Sequence, residues 1–126
     1  MSFDAVDVIV AKRDCPTCVL VEPVMQSLDR AGPLAVVSQD DPTFPAGVRS
    51  VIDDQALERS FRLNIEAVPT LIRFQGGREV ERTVGWERTE WMRLAGDAAE
   101  GKGLPLADEE ATTATGNWRC VIYIAI

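Results

Sequence analysis

The sequence predicts an α/β domain with a four-stranded mixed sheet flanked by three helices, in the order βαβ-αββα. Residues 5–39 contain a strand, a helix and a second strand, and this spacing predicts a βαβ unit with parallel strands and a right-handed crossover. Residues 68–86 contain two strand segments separated by a glycine turn, which indicates an antiparallel hairpin. The length of 126 residues suits one domain.

The first half of the chain begins with "AVDVIVA" at residues 5–11, whose β-branched side chains predict a buried strand. A helix starts at Pro16, where a missing N–H costs nothing because it would be unpaired there anyway. Pro23 should kink this helix and Gly32 should end it. The apolar segment at residues 33–39 predicts the second strand.

The middle of the chain contains a loop and a helix. Residues 40–50 are rich in proline and turn residues, which is typical of a loop. Residues 53–64 form an amphipathic pattern that predicts a helix, with Asp53 or Asp54 as its cap.

The predicted hairpin consists of a strand at residues 68–74 and a second strand at residues 78–86. The second strand alternates, so that Val80 and Val84 should point inward. A last helix is predicted to begin after a cap at Thr89 and to close the domain.

The chain changes character near residue 100. Residues 1–100 are predicted to form the domain, and residues 101–126 a flexible linker with the short apolar tail "VIYIAI". Cys120 is interpreted as incidental. The alternative is a third thiol that visits the active site, because a flexible linker of about 19 residues spans roughly 25 Å.

Charge and composition exclude several classes of function. The formal net charge is -7, which argues against binding to nucleic acid or to an anionic membrane, since both need a basic surface. The uncharged apolar runs are shorter than the roughly 20 residues of a membrane helix. The N-terminus lacks the basic start of a signal peptide. Three cysteines do not form a framework typical of a secreted protein, so we expect a cytoplasmic location.

The motif "KRDCPTC" carries the chemistry. A strand delivers Cys15 to the start of a helix, where free N–H groups stabilise a thiolate. Lys12 and Arg13 should also favour the thiolate, whereas Asp14 should oppose it. Cys18 lies one turn further into the helix and should be less exposed. An outer thiol that attacks and an inner thiol that resolves are what disulfide exchange requires.

The cysteine pair could also have one of two structural roles. A structural zinc site needs about four ligands. The chain has no histidine, and its third cysteine lies beyond the linker, so no metal ligand set is predicted. The two cysteines could instead be ordinary core residues, although their place between a strand and a helix argues against this.

Several segments together resemble the thioredoxin-like superfamily. "CPTCVLVEP" has the family's spacing between CxxC and a helix-kinking proline, and "LERSFRLNIEAVPT" resembles the helix and loop that lead to a cis-proline. "FQGGREVERTVGW" is similar to the closing hairpin, with Gly85 in the place of a late glycine. The resemblance covers roughly residues 5–100.

The resemblance implies a thioredoxin-like fold in which the Val68–Pro69 bond is cis and faces the CxxC motif. It also implies that Cys15 is the nucleophile, that Cys18 resolves, and that the backbone of Val68 pairs with an extended substrate segment. The candidate catalytic residues are Cys15 and Cys18, and the candidate substrate-binding residues are Val68, Pro69, Pro16 and Thr17.

The departures from the family pattern also carry information. Thioredoxin has a tryptophan before the first cysteine, where this chain has Asp14, and "KRDCPTC" is closer to the glutaredoxin pattern. Ile9 stands where thioredoxin keeps a buried carboxylate, and Asp7 on the same strand could partly replace it. The first strand of thioredoxin is missing, and the glutathione-binding residues of glutaredoxin are not evident.

The predicted function is thiol–disulfide exchange through the CPTC motif, as a protein-disulfide reductase that needs no cofactor. Its partners would be protein or small-molecule disulfide substrates and an unidentified electron donor, with no nucleic acid and no membrane. The alternative is a thioredoxin-fold module that recruits a protein or a soft metal ion, or the N-terminal part of a larger protein, with little reductase activity.

The loop at residues 40–50 is longer than the resemblance leads us to expect. It leaves the second parallel strand on the edge of the sheet where Cys15 lies, and ligands of such sheets gather at that edge. Phe44 is therefore expected to form part of a rim that selects the partner, and a tolerated surface insertion is the alternative.

Overall fold

The computed structural model describes residues 6–104 and 120–121 of the chain. In these residues the strands are β1 (Val6–Ala11), β2 (Leu34–Ser38), β3 (Val51–Asp53), β4 (Ala67–Val68), β5 (Thr70–Gln75), β6 (Arg78–Val84) and β7 (Cys120–Val121). The helices are α1 (Pro16–Leu20), α2 (Glu22–Ala31), α3 (Glu58–Arg62), α4 (Arg88–Ala95) and a 3-10 turn (Asp97–Ala99). The main sheet has the order β3-β2-β1-β5-β6, and β4 pairs with β7.

The predicted α/β class with a mixed sheet is confirmed. Strand β1 is the central strand, parallel to β2 and antiparallel to β5. Its residues Ile9, Val10 and Ala11 are fully buried, as an uninterrupted apolar run predicts for a strand that is covered on both faces. Strands β5 and β6 form the predicted antiparallel hairpin.

The number of helices differs from the prediction because the first predicted helix is divided in two. Helix α1 ends at Leu20 and α2 begins at Glu22, so the break falls at Val21. Pro23 causes it, because a proline has no N–H to donate to the preceding turn and its ring crowds that turn. Helix α2 then ends before Gly32, as predicted.

The main sheet has five strands and not the predicted four, because residues 51–53 form β3, an edge strand parallel to β2. Three residues are too few to show a period in the sequence. Residues 40–50 return the chain so that β3 can run parallel to β2, and Phe44 turns inward, where only 5 % of its surface is exposed. The expectation that Phe44 forms a rim for the partner is therefore wrong.

Three local predictions in the second half need correction. Val80 is 52 % exposed and does not point inward. The cap of α4 is Glu87, whose side chain accepts a hydrogen bond from the Glu90 N–H, whereas Thr89 lies inside the helix. Helix α3 is shorter than residues 53–64 and its N-cap is Leu57, so the predicted cap at Asp53 or Asp54 is wrong. The Asp54 side chain nevertheless accepts a hydrogen bond from the Arg59 N–H in the first turn.

The C-terminal side of the domain packs on the main core. The buried rings of Trp86 and Trp91 meet edge to face with their centroids 5.2 Å apart. The Arg88 guanidinium donates to the carbonyl oxygens of Gly101 and Leu104.

The domain boundary near residue 100 stays a prediction, and most of the predicted linker and tail (105–119 and 122–126) lies outside the described residues. No helix in the described part of the chain is long and apolar enough to cross a membrane.

A buried carboxylate joins the ends of two strands to α3. Asp54 accepts hydrogen bonds from the N–H groups of Arg59 and Ser60, both at 2.9 Å, and from the Ser60 hydroxyl at 2.6 Å. The Ser60 oxygen in turn accepts a bond from the Gln39 side chain, which follows β2. The loss of this carboxylate would leave three donors in a buried site without their acceptor.

We expect Asp54→Ala to lower the free energy of unfolding by about 3 kcal/mol, because unpaired buried donors keep their full desolvation cost. Urea unfolding followed by circular dichroism would measure the change. Asp53→Ala is the matched control: Asp53 is exposed and accepts one bond from the Gln55 N–H, so a loss below about 1 kcal/mol is expected. Equal losses in the two variants would contradict this role for Asp54.

Candidate functional site

Cys15 lies where the chain leaves the central strand and enters a helix. Strand β1 ends at Ala11, and Cys15 is the N-cap of α1 with an extended backbone. The connecting residues are held by Asp40, whose two carboxylate oxygens accept hydrogen bonds from the N–H groups of Arg13 and Asp14 at 2.7 and 2.9 Å. Asp40 follows β2, so the parallel pair β1–β2 brings it to the same edge as Cys15.

The sulfur of Cys15 is bonded to Cys120. The S–S distance is 2.11 Å and the Cα atoms are 6.1 Å apart, across a sequence separation of 105 residues. Cys15 is only 1 % exposed, and Cys120 is half-buried. The interpretation of Cys120 as incidental is therefore wrong, and the alternative of a third cysteine that reaches Cys15 describes the structure.

The tail that carries Cys120 pairs with the chain as a strand. Strand β7 is antiparallel to β4, with Cys120 opposite Val68 and Val121 opposite Ala67. The Val68–Pro69 bond is cis, as the resemblance implied. The sulfur of Cys15 lies 4.0 Å from the carbonyl oxygen of Val68. The disulfide therefore lies directly beside the β4–β7 strand pair.

Cys18 is the cysteine with a free thiol, and it is fully buried. Burial raises the pKa of its thiol to about 12, because a thiolate there would lose its solvation. The backbone N–H of Lys12 donates to the sulfur at 3.4 Å and opposes this rise in pKa, while the negative charge of Asp40 adds to it. Cys18 therefore stays a protonated thiol at neutral pH.

The other predicted site residues differ in accessibility. Pro16 is exposed between the two cysteines, whereas the Thr17 side chain is buried. Pro69 is buried, and its carbonyl oxygen accepts a hydrogen bond from the Gly85 N–H at 2.7 Å. Gly85 has a φ of 82°, a left-handed conformation that glycine adopts without a steric penalty. The structure thus brings Cys15 and Val68 together, and Gly85 supports Pro69.

Two polar groups have positions that the sequence did not predict. The sequence pattern assigns Asp40 only to a loop, although its position directly after the predicted second strand is a usable signal. Asp7 forms a bidentate ion pair with Arg73, at 3.0 and 3.2 Å, near the end of β1 opposite to Cys15. This geometry gives no support to Asp7 as a replacement for the buried carboxylate of thioredoxin.

The same ion pair raises the pKa of Arg73.

Residues 6–104 and 120–121 contain no cluster of three or more histidine, cysteine or acidic side chains that could hold a metal ion.

Comparisons with known proteins agree on the fold. No protein-family model matches the chain, and no curated protein matches it. A mutant thioredoxin from Halobacterium salinarum is 25 % identical, with a TM-score of 0.50 over 77 % of this chain and 76 % of that one. The thioredoxin of Malassezia sympodialis is 18 % identical, with a TM-score of 0.50 over 76 % of each chain.

The similarity to the Malassezia sympodialis thioredoxin, at 18 % identity, concerns the fold alone. The fold and the Cys15/Cys18 pair at the start of a helix fit a thiol–disulfide oxidoreductase. The chain therefore has the fold of the thioredoxin-like superfamily.

Proposed function

We propose that this chain catalyses thiol–disulfide exchange on protein disulfides, with Cys15 as the nucleophile and Cys18 as the resolving thiol. One observation carries the proposal. The sulfur of Cys15 is bonded to a cysteine in an extended segment that pairs with Val68. A mixed disulfide between Cys15 and an extended substrate would need this same arrangement of sulfur and strand.

The proposed reaction has two steps. The Cys15 thiolate attacks one sulfur of the substrate disulfide, a mixed disulfide forms, and the other substrate sulfur leaves as a thiolate. Cys18 then loses its proton and attacks the Cys15 sulfur, which releases the second substrate thiol and leaves a Cys15–Cys18 disulfide. Two electrons have moved from the protein to the substrate. An external dithiol or pair of thiols, as the electron donor, returns the protein to its reduced form.

The environments of the two sulfurs support these roles. Cys15 is the N-cap of α1, where the helix dipole favours a thiolate, although its side chain makes no cap hydrogen bond in the disulfide form. Cys18 is buried, and its high pKa keeps it a thiol until a substrate is attached to Cys15. Residues Pro16 and Thr17 between the cysteines, with Val68 and Pro69 opposite, would form the substrate-binding groove. We include a cytoplasmic location in the proposal, because an odd cysteine count does not suit a secreted framework.

A binding module with little reductase activity is the second candidate. The observation that favours it is the tail itself, because β7 already occupies the backbone of Val68 and the bond to Cys120 occupies Cys15. A domain whose groove stays filled would recruit a partner through another surface. A turnover assay separates the two candidates.

In an insulin-reduction assay with dithiothreitol as electron donor, we expect the chain to accelerate precipitation of the insulin B chain. Cys15→Ser should reduce the rate by about a hundredfold or more, because the first step loses its nucleophile. Cys18→Ser combined with Cys120→Ser should accumulate a mixed disulfide at Cys15, visible by mass spectrometry, because no second cysteine of the chain is then left to release the substrate. A rate for the unmodified chain equal to that of dithiothreitol alone would favour the binding module.

The pKa of Cys18 predicts how alkylation of the reduced protein depends on pH. Only thiolates react, and below its pKa the thiolate fraction of a cysteine rises about tenfold per pH unit. Cys15 should react faster than Cys18 below pH 8. The rate for Cys18, followed by peptide mass spectrometry with iodoacetamide, should still rise above pH 9, because its pKa is raised to about 12.

The urea-unfolded chain is the control for this measurement. There the Cys18 rate should level off near an ordinary thiol pKa of about 8.5. The same plateau in the folded protein, or faster alkylation of Cys18 than of Cys15, would show that the assigned roles are wrong.

A further inference from the structure

We propose that Cys120 is a third redox-active cysteine: the Cys15–Cys120 disulfide is an oxidised form of the protein, and an external thiol attacks it at the sulfur of Cys120. The inference rests on the proposed function, which supplies the disulfide substrate that oxidises the protein. It goes further by giving the tail a step in the reaction, as the point where reducing equivalents enter.

The first argument is that two independent contacts place Cys120 at the site. One is the disulfide with Cys15, and the other is the antiparallel pairing of β7 with β4, in which Cys120 lies opposite Val68. A cysteine that reached Cys15 by chance would form the disulfide without a regular strand pairing. Because Cys120 stays on the same chain after reduction, its effective concentration near Cys15 is high, and the bond can form again when β7 pairs with β4.

The second argument is the difference in exposure between the three cysteines. Cys15 is 1 % exposed and Cys18 is fully buried, whereas Cys120 is half-buried. An attacking thiolate must approach one sulfur of a disulfide in line with the S–S bond, so access decides which sulfur it attacks. Cys120 is therefore the more exposed residue of the bonded pair, which favours attack at its sulfur with Cys15 as the leaving group.

The reaction balances with two thiols. A thiolate attacks the Cys120 sulfur, the bond to Cys15 breaks, and Cys15 leaves with the electron pair as a thiolate. A second external thiolate then attacks the outer sulfur of the mixed disulfide on Cys120. This gives a small disulfide and a Cys120 thiolate, and the Cys120 thiolate takes up a proton. The two external thiols lose two electrons, and the protein disulfide gains them.

Cys18 provides the competing route. Its thiolate can attack the Cys15 sulfur, which forms a Cys15–Cys18 bond and releases Cys120 as a thiol, with no net change in oxidation state. This attack is the same step by which Cys18 would release a bound substrate, and in both cases Cys18 must first lose its proton in an apolar site, which limits the rate. The Cys15–Cys120 bond thus persists long enough to meet an external thiol.

Reduction at Cys120 has a second consequence for the site. While the disulfide is present, β7 occupies the backbone of Ala67 and Val68, where an extended substrate would pair. When Cys120 is released, β7 loses its covalent bond, and the two residue pairs that the structure describes between β7 and β4 form a pairing so short that it is marginal in water. The same step therefore frees both the nucleophile and the strand edge for a protein substrate.

The test uses the full chain with Cys18→Ser, so that only Cys15 and Cys120 can pair. The oxidised variant is given a short pulse of 2-mercaptoethanol, quenched with acid, and mapped by mass spectrometry. Cleavage after Arg13, Arg30 and Arg119 separates Cys15 from Cys120 into different peptides. We expect the adduct on Cys120 in about tenfold excess over the adduct on Cys15.

Two results would overturn the inference. One is an adduct mainly on Cys15. The other is a mildly oxidised unmodified chain that contains only the Cys15–Cys18 bond at all times, with Cys120 alkylated. Cys18→Ala replaces Cys18→Ser if the hydroxyl in this apolar site prevents folding.

Cys120→Ser is the matched control, whose oxidised form should contain the Cys15–Cys18 bond. The insulin assay separates this inference from the proposed function. If the adduct forms on Cys120 but insulin is not reduced, only the proposed function fails. If insulin is reduced but no Cys15–Cys120 bond forms, only the role of Cys120 fails.

Discussion

The position of strand β1 is the constraint on which the rest of the molecule depends. It is bonded on both sides, to β2 in parallel and to β5 in antiparallel orientation, and its last residues are fully buried. The chain therefore leaves the sheet at a fixed point after Ala11 and turns at once into α1. Since β2 runs parallel, Asp40 arrives at the same edge and holds the turn through the N–H groups of Arg13 and Asp14. Cys15 at the start of α1 is therefore positioned by the β1–β2 pairing and by Asp40, and not by contacts within residues 12–14 themselves.

Two cysteines only three positions apart acquire different chemistry from this placement. Cys15 ends the turn at the N-terminus of α1, and Cys18 faces the core one turn later. Desolvation is the dominant influence on Cys18, and the nearby carboxylate of Asp40 acts in the same direction. The contribution of the Lys12 N–H is too small to reverse them. The reluctance of Cys18 to form a thiolate is thus a consequence of its burial one helical turn beyond Cys15.

The third cysteine reaches the site through backbone pairing. Strand β4 is only two residues long, and its outer edge would present unpaired N–H and C=O groups if β7 were absent. An edge of this kind accepts any extended segment, whether it comes from the same chain or from a partner. A segment of the same chain has the advantage of a high effective concentration, so two residue pairs and one disulfide suffice to hold it. The edge that we propose for an extended substrate is therefore the edge on which β7 lies.

The sequence by itself determined the parts of this protein that depend on local pattern. The strand–CPTC–helix order, the kink before Pro23, the hairpin and, through a resemblance, the cis bond before Pro69 all follow from short segments whose periodicity or proline chemistry is visible. Tertiary structure decided the rest. The three residues of β3 are too short to show a period, and the inward turn of Phe44 depends on core space that other elements leave. The Cys15–Cys120 bond joins residues 105 positions apart. No local pattern encodes that contact, because it exists only once β4 offers an edge beside Cys15.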